Sequence, residues 1–202
     1  MQAQSSSTAT MAGRSQERYS AVAALLHWTL AALLLFQLAL GVWMVGLPLG
    51  LEKYERYQLH KSLGVLILGL SVVRLLWRLA VPPPSAAPWV RGWERSLARV
   101  VHTGLYGFMV GTPLLGWALV SAAPGPAPTR VFGRFPLPPL PVIAGSGEAW
   151  SDAFGVAHMS LAFAGAGLIV LHVSGALKHQ LLDRRPEVQR MLPWSGRRGA
   201  NP

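Results

Sequence analysis

The sequence predicts an all-α integral membrane protein, folded as a bundle of four transmembrane helices. Two observations support this fold class. Of the 202 residues, 51% are hydrophobic and only 13% are charged, which is too apolar for an ordinary soluble domain. The apolar residues are also concentrated in four segments of about 20 residues or more, the length that a helix needs to cross a hydrocarbon core of ~30 Å.

The four segments lie at approximately Ala21–Gly46, Ser62–Val81, Val100–Ala123 and Val156–Leu177. The run of prolines that begins at Pro82 is expected to end the second helix, because proline lacks the N–H that continues the hydrogen-bond ladder. The proline-rich connection 124–152 contains RVFGRFPLPPLP and enough apolar side chains to fold over one end of the bundle. We therefore expect it to form a cap.

The tails differ in kind from this domain, which we place at residues 19–182. Residues 1–18 are rich in Ser and Thr and are expected to be a disordered tail, and residues 183–202 form a basic tail. The first apolar segment is longer than the hydrophobic region of a signal peptide. It is expected to stay in the protein as the first helix.

The basic residues predict the orientation of the bundle. Thirteen of the 18 lysines and arginines fall on the side that carries both termini, and five fall on the other side. Because cytoplasmic loops carry the excess of positive charge, both termini are expected in the cytoplasm. The net charge of +10 then faces anionic lipid, so no nucleic-acid partner is required. The absence of cysteine excludes disulfides, thiol catalysis and iron–sulfur ligation.

Four histidines fall at two depths of the predicted bundle. His27 and His172 lie in its inner half, and His60 and His158 lie near its outer end. His158 and His172 are fourteen residues apart, which puts them on nearly one helix face some ~21 Å apart along the axis. Gly165 lies halfway between them, where a small residue leaves room for a planar group or a close neighbouring helix.

Two imidazoles at one depth predict bis-histidine ligation of a haem, a coordination that favours electron transfer over oxygen binding. By depth, His27 pairs with His172, and His60 pairs with His158. The alternative is that these histidines only form hydrogen bonds between helices, although intramembrane ionisable residues are costly and usually functional. Arg74 is predicted at the level of the inner haem, either as a propionate partner or extended to the headgroups.

The order of several motifs along the chain resembles the bacterial cytochrome b561 family over residues 19–192. These motifs are SAVAALLHW, LHKSLGVLILGLSVVRLLWRL, VHTGLYGFMVGTPLLGW, FGRFPLPPLP and AHMSLAFAGAGLIVLHVSGALKH. The resemblance implies two haem b groups with His27, His60, His158 and His172 as axial iron ligands. It also implies a multi-pass protein of the bacterial inner membrane that passes electrons in a respiratory chain, with ubiquinone or another quinone as a substrate.

Two histidines remain outside this ligand set. His179 follows His172 by seven residues, so it faces the same direction about ~10 Å closer to the cytoplasm, where the family has its quinone site. It is a candidate quinone contact that exchanges a proton, and the alternative is an interfacial histidine that faces water. His102 is expected to have a structural or propionate-contacting role.

The sequence therefore predicts a di-haem cytochrome that carries electrons between quinone and a periplasmic donor or acceptor. Three alternatives stay open. The chain acts alone as a superoxide:ubiquinone oxidoreductase, or it is the cytochrome b subunit of a larger membrane redox complex, or it is a histidine-lined ion transporter. Whether it is an enzyme or an electron carrier depends on which of these holds.

Overall fold

The computed structural model describes residues 18–82, 84, 91–125, 129–184 and 188–192. Four long helices dominate this part of the chain: α1 (Ala21–Val45), α2 (Leu51–Ala80), α3 (Gly92–Ala122) and α4 (Glu148–Leu177). Each is long and apolar enough to cross a membrane. The predicted all-α transmembrane bundle is therefore confirmed. The N-terminal tail, which is predicted to be disordered, and most of the basic C-terminal tail lie outside the described residues.

Three helices begin earlier than the apolar segments predicted. The predicted second, third and fourth helices begin at residues 62, 100 and 156. In the structure, α2 begins at Leu51, α3 at Gly92 and α4 at Glu148. The added turns carry charged residues that suit the membrane surface. Each first turn contains a glutamate, whose negative charge is stabilised by the positive end of the helix dipole. His60 and His158 consequently lie well inside α2 and α4, and their predicted places at the outer ends of these helices are wrong.

The helix ends follow from local chemistry. Ser20 begins α1 as an N-cap, since its Oγ accepts a hydrogen bond from the Ala23 N–H at 3.2 Å. α2 ends at Ala80, ahead of Pro82, as predicted. α4 ends at Leu177 and continues directly into a π-helical turn, Lys178–Leu182, and a 3-10 turn follows at Val188–Met191.

The helices pack as antiparallel neighbours around a core at mid-depth. This core consists of Leu30, Leu34, Ile67, Phe108 and Met109, contributed by α1, α2 and α3. In each of these helices the core residues lie between the predicted inner and outer levels of the histidines. Large apolar side chains such as Phe36 and Val170 point away from the bundle, as expected for a surface that faces lipid.

A small hairpin covers the outer end of α2. Strands β1 (Thr129–Val131) and β2 (Phe135–Leu137) pair antiparallel. The N–H of Phe132 donates to Ser62 Oγ at 2.9 Å, and the N–H of Arg130 donates to Gln58 Oε1 at 3.3 Å. The proline-rich connection therefore forms a cap, as predicted.

Both described ends of the chain lie on one side of the bundle. The N–H of Tyr19 donates to the carbonyl of Arg190 at 3.3 Å, and the indole N–H of Trp28 donates to the carbonyl of Met191 at 2.9 Å. These two hydrogen bonds join the start of α1 to the 3-10 turn that follows α4. An even number of membrane crossings requires this arrangement.

Candidate functional site

The outer histidine pair joins α2 to α4. The ring centroids of His60 and His158 are 6.1 Å apart, with the ring planes at 73°. A metal–imidazole bond is about 2 Å long, so rings at this separation leave room for one metal atom between facing nitrogens. The pairing predicted from depth agrees with this geometry.

His158 is oriented by α3. Its Nδ1 lies 2.9 Å from the backbone carbonyl of Thr112. Because a carbonyl only accepts hydrogen bonds, Nδ1 is the protonated nitrogen and Nε2 keeps a free lone pair. A Cβ at Gly116 would lie 3.1 Å from both Nδ1 and Cε1 of the ring, so a glycine is what lets the ring approach α3 this closely.

His60 adjoins α1, but the hydrogen bond from that helix goes to its backbone and not to its ring. The side-chain amide of Gln37 donates to the His60 carbonyl at 2.8 Å. A Cβ at Gly41 would lie 3.2 Å from Cε1 of His60, so the Nδ1–Cε1 edge of the ring rests against that glycine. His60 Nδ1 is buried and has no hydrogen-bond partner among the described residues. Both outer rings thus turn the Nδ1 edge toward a neighbouring helix.

The inner level holds three histidines rather than two. The rings of His27 and His172 have centroids 6.0 Å apart, close to the spacing of the outer pair. His102, from α3, lies on the same imidazole at a centroid distance of 5.2 Å. His102 is exposed, whereas His27 and His172 are half-buried. The sequence predicted His102 near the inner face but did not predict its contact with His172.

Arg74 lies at the inner level, as predicted. Its Nη1 donates to the carbonyl of Ala23 at 2.9 Å, and its Nη2 lies 3.4 Å from Nδ1 of His27. Within the described part of the chain, no carboxylate forms an ion pair with Arg74. An unpaired guanidinium beside an inner histidine is suited to an anionic group such as a haem propionate.

The space at Gly165 is filled by a neighbouring helix. A Cβ there would overlap the ring of Phe108, which reaches across from α3. Gly104 and Gly111 of α3 similarly adjoin the side chains of Leu168 and Leu161 in α4. Of the two uses predicted for Gly165, close helix packing is the one that the structure contains. Phe108 therefore separates the two histidine levels.

His179 belongs to a charged cluster at the inner end of α4. Its Nδ1 lies 2.7 Å from Asp183 Oδ2, and that oxygen also accepts a hydrogen bond from Lys178 Nζ at 2.9 Å. Lys178 Nζ further donates to Glu94 Oε1 at 2.5 Å. The sequence predicts a role for His179 alone. The i,i+4 spacing of His179 and Asp183 was a usable signal, since such residues are neighbours on a helix.

Four transmembrane helices that bring histidines together in pairs at two depths have the architecture of a membrane b-type cytochrome. The chain belongs to the prokaryotic cytochrome b561 family, whose sequence model matches residues 18–194. Membership of this family implies membrane electron transfer and haem b as the cofactor.

Three bacterial relatives align with most of the chain. Cytochrome b561 homolog 2 of Escherichia coli (strain K12) is 37% identical over 177 residues, which cover 87% of this chain and 92% of the relative. Cytochrome b561 homolog 1 of the same organism is 26% identical and covers 87% and 97% respectively. The probable superoxide oxidase CybB of Yersinia pestis is 24% identical, with coverage of 88% and 97%.

Proposed function

We propose that the protein is a di-haem electron-transfer cytochrome of the bacterial inner membrane that exchanges electrons with quinone at its inner face. The observation that carries the proposal is the pair of histidine contacts at two depths, with centroid distances of 6.0 and 6.1 Å. Both pairs use α4, so one helix would supply a ligand to each haem. The haem would supply a one-electron iron couple, and ligation by two histidines would favour electron transfer over oxygen binding.

The outer site fits a haem ligand set by its donor chemistry. His158 offers Nε2 because Nδ1 is occupied by the Thr112 carbonyl, the arrangement by which proteins usually fix the tautomer of a metal-bound imidazole. His60 would supply the second nitrogen from α2. Because positions 41 and 116 are glycines, the His60 ring can lie directly against α1 and the His158 ring directly against α3.

At the inner site, His27 and His172 would hold the second haem. Arg74 would neutralise a propionate, since it lies beside His27 and no described carboxylate pairs with it. His102 would contact the same group from α3. These assignments rest on proximity at one depth and on the resemblance of the spacing to that of the outer pair.

His179 would contact the quinone. It lies in the turn that follows α4 and is only partly exposed, with 18% of its side-chain surface accessible. An imidazole there can give a proton to a quinone oxygen or take one from a quinol. The excess of basic residues on the side of the termini supports the assignment of this face to the cytoplasm.

The test is haem stoichiometry together with a reduced-minus-oxidised absorption spectrum. The purified protein is expected to contain two haem b per chain, and His172→Ala and His158→Ala are each expected to retain one. Retention of both haems by His172→Ala would refute the inner assignment. A colourless protein, produced with haem available, would instead support the ion-transporter alternative.

A second candidate function is superoxide oxidation, favoured by the similarity to the probable superoxide oxidase of Yersinia pestis. In this case superoxide would donate an electron at the outer haem, and quinone would receive it at the inner face. Rapid reduction of the purified protein by superoxide distinguishes this activity from electron transfer with a protein donor. Co-purification of a stoichiometric partner would favour a subunit of a larger complex.

A further inference from the structure

The charged cluster at the inner end of α4 contains a carboxylate, Asp183, in addition to the candidate quinone contact His179. Asp183 lies on the exposed side of the cluster and accepts two hydrogen bonds at one carboxylate oxygen, from His179 Nδ1 at 2.7 Å and from Lys178 Nζ at 2.9 Å. This arrangement has the form of a carboxylate that orients a catalytic imidazole.

We propose that Asp183 is a positioning residue for quinone chemistry, which keeps a proton on Nδ1 of His179 and directs Nε2 toward the quinone. The proposal rests on the proposed role of His179 as the quinone contact. It adds a residue of this chain that fixes the tautomer and the direction of that imidazole.

The protonation state of Asp183 supports this role. Its hydrogen bonds from Lys178 and then from His179 hold the pKa of the Asp183 carboxyl below its usual range. The group is therefore an ionised carboxylate at neutral pH and can only accept hydrogen bonds. It follows that Nδ1 of His179 carries the proton in this contact.

The local backbone brings Asp183 to His179. The N–H of Asp183 donates to the carbonyl of Lys178 at 3.1 Å, which closes the π-helical turn. Turns of this kind are uncommon and frequently occur at functional sites. A negative charge just beyond the end of a helix is also unfavourable for the helix dipole. Helix stability therefore does not explain an aspartate at this position.

An ion pair with α3 holds the carboxylate in place. Glu94 accepts a hydrogen bond from the Arg91 N–H at Oε2 and from Lys178 Nζ at Oε1, with distances of 3.1 and 2.5 Å. Its side chain is only 8% exposed. Lys178 thus bridges a buried carboxylate at the start of α3 to Asp183, and this bridge limits the movement of the turn.

The chemistry that this arrangement serves is proton transfer. Reduction of a quinone to a quinol adds two electrons and two protons, and the electrons arrive one at a time along the proposed electron-transfer path. In its doubly protonated form, His179 gives the proton on Nε2 to a quinone oxygen. It is left as the Nδ1–H tautomer that Asp183 stabilises, and it regains a proton at Nε2 from cytoplasmic water.

The experiment measures oxidation of the reduced, haem-loaded protein by a short-chain ubiquinone, with the rate followed by haem absorbance over a range of quinone concentrations. Asp183→Ala and Asp183→Asn are expected to lower the limiting rate at least roughly tenfold, since positioned proton transfer contributes about 10²–10⁴-fold. The half-saturating quinone concentration and the haem content should stay near those of the unaltered protein. Asp183→Glu should restore part of the rate.

Asp152→Asn is the matched control, because Asp152 lies exposed at the opposite end of α4. It is expected to leave the rate unchanged.

His179→Gln separates the two proposals. If His179→Gln is slow while Asp183→Ala and Asp183→Asn react at the unaltered rate, the positioning role is wrong and the quinone contact stands. If His179→Gln also reacts at the unaltered rate, the quinone assignment itself fails. A change confined to the half-saturating concentration would also overturn the positioning role.

Discussion

His158 donates a hydrogen bond from Nδ1 to the backbone carbonyl of Thr112 at 2.9 Å, and Gly116, one turn further along α3, adjoins the same ring. The opposite side of the outer site has the same spacing of a hydrogen-bonding residue and a glycine, although the hydrogen bond there goes to the backbone of the histidine and not to its ring. Gln37 of α1 bonds the carbonyl of His60, and a glycine four residues later adjoins the His60 ring. Two helices that supply no outer ligand therefore determine how the two outer imidazoles are presented.

Gly116→Ala tests the importance of this support. The new Cβ would lie 3.1 Å from Nδ1 and Cε1 of His158, so the ring would have to shift by a few tenths of an ångström, away from the position that its hydrogen bond to Thr112 sets. We expect haem retention at the outer site to weaken by about 10- to 100-fold, the range for disturbing a group that orients a metal ligand. Haem titration of the purified protein measures this effect.

Gly107→Ala is the control for that substitution. Gly107 also lies in α3, but a Cβ there has no neighbour within 4 Å. It is expected to bind haem as the unaltered protein does. An equal loss in both variants would mean that alanine disturbs α3 itself rather than the His158 ring.

The four candidate ligands were predictable because the periodicity of a helix fixes depth and face from sequence spacing alone. The glycines that support the rings were not, since their role depends on which helix lies beside which. Depth alone also cannot show which of two histidines at one level lies beside His172. The contact between His102 and His172 was therefore not predicted. The charged first turns of α2, α3 and α4 were missed because they carry no apolar signal.

The role of Asp183 shows a different limit of sequence reasoning. Its spacing from His179 is visible in the sequence, but a regular helix would place many such pairs in water without consequence. The π-helical turn and the ion pair between Lys178 and Glu94, 84 positions apart, give the contact its rigidity. Neither feature has a signature in the local sequence.

Gly165→Ala is expected to destabilise the bundle between the two histidine levels. A Cβ at this position overlaps the Phe108 ring, which is only 3% exposed and has little space to move. Overpacking of this kind costs about 1–3 kcal/mol. Thermal unfolding of the detergent-solubilised protein should show a lower midpoint. Gly167→Ala, two residues away in α4 with no neighbour within 4 Å, should not lower it.

Phe108→Ala provides the matching rescue. Alanine removes Cγ, Cδ2 and Cε2, the Phe108 atoms that a Cβ at position 165 would overlap, so the double variant should be more stable than the sum of the two single changes predicts. A coupling of this kind is expected only for residues in direct contact. Purely additive effects would show that the Gly165 substitution acts elsewhere, for example through the backbone of α4.

His27→Ala and His102→Ala distinguish the two histidines that adjoin His172. The centroid spacing of His27 from His172 is 6.0 Å, close to the 6.1 Å of the outer pair, whereas the His102 ring lies at 5.2 Å and is exposed. We therefore expect His27→Ala to lose one haem per chain and His102→Ala to retain two, measured by the pyridine haemochrome spectrum. His102→Ala is still expected to alter the inner haem spectrum, because it removes a ring that packs on the imidazole of His172, the proposed inner ligand. If His102→Ala instead loses a haem and His27→Ala retains both haems, the ligand opposite His172 is His102 of α3 and not His27 of α1.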